Sequence, residues 1–224
     1  MAFYILNNIL MNITWIGHSC FKIDEKINGE NVSLLTDPFS SDTGLKLPSL
    51  SPDLVSVSHQ HHDHNNISSL RGKPIIIDSA GEFDIKGVMI EGIRSYHDEE
   101  KGAKRGENII FRFDIEGMSL AHLGDLGELL DNKQLEKLGG LDVLFIPVGG
   151  TYTLDAKKAV ETISQIEPRI VIPMHYKIPG LKIDIDGVDK FIKELGLKPN
   201  YEEKLKLSKR DLPSEDMQLI ILKN

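Results

Sequence analysis

The chain of 224 residues has a single cysteine, a single tryptophan and no run of basic residues. One thiol excludes an intrachain disulfide framework. Cysteine-poor usage fits a reducing cytoplasm, which is the expected location. Cys20 itself lies in an apolar, strand-like segment and reads as a small core residue rather than a nucleophile. Positive charge is also scarce: 26 Lys and Arg face 34 Asp and Glu, a net charge of −8. Without a basic stripe or a basic patch interleaved with aromatics, no nucleic-acid partner is expected. No apolar run reaches the roughly 20 residues of a membrane span, so no membrane association is expected either. The opening Met1-Ala2-Phe3-Tyr4-Ile5-Leu6 lacks a positive n-region, and two Asn interrupt its apolar run, which makes it a poor signal peptide. A second methionine, Met11, stands directly before a good strand, so residues 1–10 read as an upstream extension.

What is present is ordinary for a soluble globular protein: 40% hydrophobic and 27% charged residues. The length suits one large domain spanning 1–224. The first half reads as strands at Ile13–Ile16, Cys20–Ile23, Val32–Thr36, Leu54–Ser58, Pro74–Ile77, Val88–Ile93, Asn108–Phe113 and Met118–Leu123. Asn28-Gly29 and Glu116-Gly117 look like hairpin turns between them. Further strands follow at Val143–Ile146, Ile170–Ile172 and Gln218–Leu222. Helices belong to the second half. Asp131 and Gln134 form a capping box for a short helix ending near Gly139. Thr153 caps a helix with Ala156, Ala159, Val160, Ile163 and Ile166 on one face, stopped at Pro168. Val188, Phe191, Ile192 and Leu195 make a third stripe, closed by Gly196. Strand runs first and helices later indicate an α/β protein of the α+β type.

Six residues carry the chemistry most clearly. His59-Gln60-His61-His62-Asp63-His64 holds four of the eight histidines, plus an aspartate, directly behind the apolar strand Leu54–Ser58. Imidazole nitrogen and carboxylate oxygen suit zinc and its first-row neighbours. In extended backbone, residues two apart share a side, so His59 and His61 reach one metal together. A turn after His62 would swing Asp63 and His64 toward a second position beside it. His62 then points away and is read as non-ligating. Three more candidates stand where strands run out into loops: His97, Asp125 and His175. His122, inside an apolar strand, reads as a core histidine. Tyr96, Tyr152 and Tyr176 flank the candidates in sequence, and aromatic packing is the expected role of each.

The ordered set of HxHxDH, His97, Gly124-Asp125 and His175 resembles the metallo-β-lactamase-fold superfamily of metal-dependent hydrolases. The resemblance runs from Trp15-Ile16-Gly17-His18 to the last strand. Thr36-Asp37-Pro38 is similar to the superfamily's first motif, an Asp bracing the histidine-rich loop. Gly17-His18-Ser19-Cys20-Phe21, His122-Leu123-Gly124-Asp125-Leu126-Gly127, Pro147-Val148-Gly149-Gly150 and Pro173-Met174-His175-Tyr176 look like a branch of small hydrolases akin to ascorbate-6-phosphate lactonases. The resemblance implies a four-layer αββα sandwich with two divalent metals at one edge of its sheets. His59, His61 and His97 would hold one metal, Asp63, His64 and His175 the other, and Asp125 would bridge them. Zn2+ is the expected ion, with Mn2+ or Fe2+ as alternatives. Asp63 and Asp125 are the implied catalytic residues, Asp63 orienting the nucleophile. Asp37 would fix the loop by hydrogen bonds, and His18 would approach substrate or make a structural hydrogen bond. The implied activity is hydrolysis of an ester-like bond (lactone, ester or phosphodiester) in a small molecule by a hydroxide shared between the metals. A nuclease of the same fold and a non-catalytic metal-binding or sensor protein are the alternatives. The first would need nucleic-acid-binding elements that this acidic chain has little room for, and the second a closed four-ligand site.

Overall fold

A computed structural model describes residues 10–224; the suggested extension at 1–10 falls, apart from Leu10, outside them. Fourteen strands and three α-helices follow in chain order: β1 Met11–Gly17, β2 Cys20–Ile27, β3 Glu30–Thr36, β4 Leu54–Ser56, β5 Ile75–Ile77, β6 Gly81–Ile85, β7 Val88–Tyr96, β8 Glu107–Ile115, β9 Met118–His122, α1 Asn132–Lys137, β10 Val143–Pro147, α2 Ala156–Ile166, β11 Ile170–Met174, α3 Val188–Leu195, β12 Asn200–Glu202, β13 Leu205–Leu207 and β14 Gln218–Leu222. They form a six-stranded sheet of order β13-β1-β2-β3-β4-β5 and an eight-stranded sheet of order β12-β14-β11-β10-β9-β8-β7-β6.

Alternation explains the packing of the first sheet. Along β1 every second residue is buried, and Ile13 and Trp15 join Phe21, Ile23 and Leu34 in the core between the sheets. The intervening residues of neighbouring strands, Cys20, Leu35 and Val55, face the other way into a smaller cluster with Phe39 and Val57. That outer cluster is covered by Leu45, Leu47 and Leu50 from the loop after β3 and by Ile67 and Leu70 around a 3-10 turn. The sandwich therefore has its four layers, but the one outside the six-stranded sheet is built of loop and 3-10 turns. On the eight-stranded side, β10 and β11 are buried at every residue, as parallel strands covered on both faces must be. Their outer face is covered through α2 and α3, which pack against each other. Phe21 of β2 meets Phe145 of β10 across the sandwich with ring centroids 4.4 Å apart.

Hairpin turns fall where Asn28-Gly29 and Glu116-Gly117 place them; all four residues have positive φ, as the tight two-residue turn requires. The capping box of α1 is formed by Asp131 and Gln134, and Gly196 closes α3 in the left-handed region. The cap of α2 differs from expectation. Asp155, not Thr153, accepts from the Lys158 amide, while the Thr153 amide is used in a turn to Gly150. Three strands have no counterpart in the sequence reading: β6, β12 and β13. All three are sheet edges; β12 is exposed throughout, and β6 and β13 alternate over only three residues each.

Strand direction positions the site. β4 runs parallel to β3, and β1 is parallel to β3 through two antiparallel pairings with β2. In the other sheet β11, β10 and β9 are parallel, and β7 is parallel to β9 through β8. The C-terminal ends of β1, β3 and β4 thus share one edge, and those of β7, β9 and β11 share another. His18, Asp37, His59, His97, Asp125 and His175 all follow those ends within three residues.

Candidate metal centre

The two edges meet, and their side chains form one continuous cluster. His59, His61 and His97 offer ligand atoms within 4.8 Å of one another, as do His18, Asp63, His64 and His175; His59, His64 and Asp125 form a third such group between them. Every candidate ligand from the sequence lies in this cluster. The Asp125 carboxylate is its centre: Oδ2 lies 3.2 Å from Nε2 of each of His64, His97 and His175, and 3.9 Å from Nε2 of His59.

The local backbone is unusual where it must turn side chains inward. His18, Asp37 and His175 all adopt positive φ, at 54°, 38° and 51°. For residues with a Cβ this is a strained conformation, the kind retained where surrounding contacts enforce it. His18 occupies a two-residue turn between β1 and β2, and its carbonyl accepts from Trp15 Nε1 at 2.9 Å and from the His175 amide at 3.1 Å. The histidine-rich segment differs from expectation as well. The strand Leu54–Ser58 ends at Ser56, because the Ser58 amide donates to Asp37 Oδ1 at 2.8 Å instead of to a neighbouring strand. His59 and His61 converge through bends rather than extended backbone, and the turn closes between the His61 carbonyl and the His64 amide at 3.0 Å. His62 is exposed on its outside and is in none of the donor groups.

Asp37 braces this loop through three contacts. Besides the Ser58 amide, it accepts from Ser58 Oγ at 2.6 Å and lies 2.8 Å from His64 Nδ1. Ser58 Oγ is in turn 2.9 Å from His59 Nδ1. Each of these rings is thereby oriented through Nδ1, leaving Nε2 to point into the cluster. There His59 Nε2, His64 Nε2 and Asp125 Oδ1 are buried without hydrogen-bond partners. Two buried carboxylates, Asp37 and Asp125, and unsatisfied imidazole nitrogens are an arrangement that divalent cations complete. On that ground the residues fit a metal site.

Electrostatics agree with this fit at His18, His59 and His61, and His64 is the exception, a ring whose proton a metal would have to displace. Burial, with neighbouring His64, depresses His59 to about 3. Burial, with neighbouring His175, takes His18 down to about 4. Burial and then His97 lower His61. These rings are neutral at pH 7, the form that binds metal. Burial alone would raise the acids, but the surrounding imidazoles outweigh it: His18 and His64 hold Asp63, and His175 and His64 hold Asp125, well below the usual carboxylate range. Burial likewise opposes charge on His64, yet Asp125 and Asp37 on either side draw its pKa up.

Three supporting residues escaped the sequence reading. Asn108, fully buried at the start of β8, accepts from the Asp125 amide at 2.9 Å and donates to the Leu123 carbonyl at 2.9 Å and Ser95 Oγ at 2.8 Å. Ser58 links Asp37 to His59, as described. Asp98 accepts four backbone amides, from Glu100, Gly102, Lys104 and Arg105, and so winds the loop after His97 around itself. The glycine motifs answer to close approach: a Cβ on Gly124 would lie 2.3 Å from Asn108 Oδ1, and one on Gly149 would lie 2.1 Å from the His175 carbonyl. His122 holds the sheets together, with Nε2 2.8 Å from the Ser19 carbonyl and Nδ1 accepting from the Gly124 amide. Tyr176 packs on Trp15 at 5.0 Å, whereas Tyr152 departs from a packing role and is 40% exposed. Cys20 is buried in the outer cluster and is in none of the donor groups, and burial pushes its thiol well up. Among the described residues, no helix is long and apolar enough to cross a membrane.

A two-sheet sandwich whose parallel strand ends converge on a His/Asp cluster defines the metallo-β-lactamase class of fold. The chain belongs to the β-lactamase superfamily: the model of its domain matches residues 12–175. It is similar to UPF0173 metal-dependent hydrolases, including those of Thermoplasma volcanium (30% identical, covering 74% of this chain and 83% of that protein) and Methanosarcina barkeri (31%, with the same coverages). Among solved structures it resembles a proposed zinc-dependent hydrolase of the metallo-β-lactamase superfamily from Thermotoga maritima. The two are 35% identical with a TM-score of 0.77, covering 95% of this chain and 98% of the other. The fold alone is shared with Igni18, a metallo hydrolase of Ignicoccus hospitalis, at 21% identity and a TM-score of 0.62 over 84% of this chain and 91% of that one.

Proposed function

We propose that the protein is a cytoplasmic, single-domain hydrolase that uses two divalent metals, Zn2+ first among them, to cleave an ester-like bond in a small molecule. The observation carrying this reading is the placement of Asp125 Oδ2, 3.2 Å from three imidazole nitrogens and between two further groups of donors. His59, His61 and His97 would hold one metal; Asp63, His64 and His175 the other; Asp125 would join them. His18 belongs with the second group, with Nε2 3.2 Å from Asp63 Oδ2. Two metals bound there would supply a water of lowered pKa and polarise the oxygen of the scissile carbonyl or phosphoryl group.

The chain's own groups define the remaining work. Asp63 is the half-buried carboxylate of the centre; its Oδ2 faces His18 and His64 and would take the metal, which leaves Oδ1 to accept from the attacking water. Its depressed pKa keeps it ionised at neutral pH, so it orients that water rather than storing its proton. Asp37 and Ser58 keep His64 and His59 in register, and Asn108 holds the Asp125 backbone. Hydrolysis adds one water across the bond and leaves an acid and an alcohol, both on one molecule when the substrate is a lactone.

Elemental analysis after purification without chelator should find close to two metals per chain. Chelation should abolish turnover on a panel of lactones, esters, thioesters and phosphodiesters, and zinc or manganese should restore it. A stable occupancy of one metal or none, after supplementation, would refute the two-metal reading. Metal-bound protein without turnover would leave a binding or sensing protein. Salt-sensitive RNA binding with metal-dependent cleavage would make it a nuclease.

A further inference from the structure

Two recesses open beside the metal centre, and one side chain lines both. The first, of about 330 Å³, is bordered by His59, His61 and Arg105; the second, of about 220 Å³, by His97, Tyr152 and the same Arg105. We infer that Arg105 is a specificity-determining residue that binds a carboxylate group on the substrate. The molecule hydrolysed is then a small ester-like anion. This rests on the hydrolase reading above and narrows it to a substrate class.

Arg105 is an uncompensated cation. Among the described residues no carboxylate lies within 4.0 Å of its guanidinium, whereas the other cations at the second recess are paired, Lys104 with Glu100 and Lys158 with Glu99. Arg112, on β8, illustrates a guanidinium used structurally: it contacts Asp114, the Ser119 hydroxyl and the carbonyls of Lys137 and Gly139. Arg105 instead makes one hydrogen bond, from Nη2 to the Thr151 carbonyl at 3.2 Å, and lies 5.4 Å from the centre of the Tyr152 ring. Of its five N–H donors most remain free, and neither partner neutralises its charge.

It is also held in place. The Arg105 amide donates to Asp98 Oδ2 at 2.7 Å, inside the loop that Asp98 organises directly after His97. The backbone carrying the guanidinium is thus tied to a metal-ligand candidate one residue from its anchor. A fixed planar fork with free donors matches carboxylate and phosphate oxygens. In a chain of net charge −8, Asp78 and Glu107 border the first recess and Asp98, Glu99 and Glu100 the second; among the described residues Arg105 is the cation at either recess without a carboxylate partner, and so the point where an anion attaches.

The test compares matched ligands with and without the second anion. Turnover of p-nitrophenyl butyrate and mono-p-nitrophenyl glutarate is measured on metal-loaded wild type, Arg105→Ala and Arg105→Lys. Calorimetry in parallel measures binding of butyrate against succinate, glutarate and adipate, so that no spacing is presumed. Arg105→Ala should raise KM for the anionic ester at least tenfold, with kcat and the KM of the neutral ester within about twofold, and Arg105→Lys should restore part of the loss. Wild type should prefer one dicarboxylate over butyrate at least tenfold, and Arg105→Ala should lose that preference. A wild type without the preference, or an Arg105→Ala variant that keeps it, overturns the inference. If no substrate of any class is turned over but the dicarboxylate preference still depends on Arg105, the hydrolase reading fails and the anion site stands.

Discussion

Asn108→Ala is the most direct test of how the fold holds its metal centre. The Asn108 side chain is fully buried and makes three hydrogen bonds: one accepted from the Asp125 amide, two donated to Leu123 and Ser95. Truncation leaves the Asp125 N–H and the Leu123 C=O buried without partners. Hydrogen bonds of this kind contribute about 1 kcal/mol each, and unsatisfied buried groups cost more, so a loss of about 3–5 kcal/mol is expected. Against a typical total of roughly 5–15 kcal/mol, such a variant folds but is visibly weakened. The Asp125 backbone would also lose its side-chain acceptor, and loss of such supporting contacts typically lowers metal affinity about 10–100-fold. Urea unfolding of the chelated proteins gives the first quantity and competitive metal titration the second. Asn108→Asp separates the two effects. It keeps an acceptor for the Asp125 amide but places a carboxylate against the Leu123 carbonyl, so it should be destabilised at pH 7 at least as much as Asn108→Ala. A loss below about 1 kcal/mol in Asn108→Ala, with unchanged metal affinity, would refute the role assigned to this residue.

Asp125→Asn keeps shape but removes the central negative charge; it should reduce metal content below that of wild type in elemental analysis and abolish most hydrolysis, and full metal content with full turnover would displace Asp125 from the centre. Cys20→Ser puts a hydroxyl into the outer apolar cluster and should lower stability by about 1–3 kcal/mol while leaving metal content intact; loss of metal or turnover in a folded variant would tie the thiol to the chemistry. Glu25 is 5% exposed, with Oε2 unpartnered, and burial raises its pKa. A raised acid favours the protonated folded form, so its ionisation removes stability as pH climbs through the unfolded carboxylate value, about 4.3. Glu25→Gln should therefore stabilise the protein at pH 7 and give up that advantage as pH falls below about 4, as read by melting temperature; a gain that persists unchanged in acid would point to another cause.

The parts of the fold legible in the sequence are those where burial imposes a period. β1 alternates because one face meets the core, and β10 and β11 are continuous apolar runs because both faces are covered. β12 left no such mark, and β6 and β13 alternate only over the three residues Phe83–Ile85 and Leu205–Leu207. Gly81-Glu82-Phe83-Asp84-Ile85 and Asn200-Tyr201-Glu202 pair along one side only, at the ends of their sheet, where solvent tolerates polar and charged residues. The strand expected from Pro74 starts at Ile75; without an amide, Pro74 has no donor for the ladder. The apolar pattern of β7 stops at Ile93, yet the strand continues to Tyr96, because the polar Arg94 and Ser95 pair with Ile109 and Asn108. Hydropathy does not register a backbone ladder that polar side chains share.

The site was legible in a different way, and its gaps have one cause. Metal-ligand candidates are rare residue types at strand ends, and six of the eight histidines lie in the donor cluster. The residues that aim them are common types, and nothing in their neighbours' identity marks them. Asn108 is one polar residue in a strand, Ser58 one serine in Leu-Val-Ser-Val-Ser, and Asp98 one acid followed by two more. What distinguishes them is a partner far along the chain: Asn108 meets Asp125, and Ser58 meets Asp37. Even the pairing of His59 with His61 came about by another route, since the strand that would have placed both on one side gives way to bends once Asp37 takes the Ser58 amide. The donor set is thus written in local composition, while its geometry is set by contacts across the strand ends. A relative that kept every histidine but lost Asn108 or Ser58 should retain the sequence signature and bind metal less tightly.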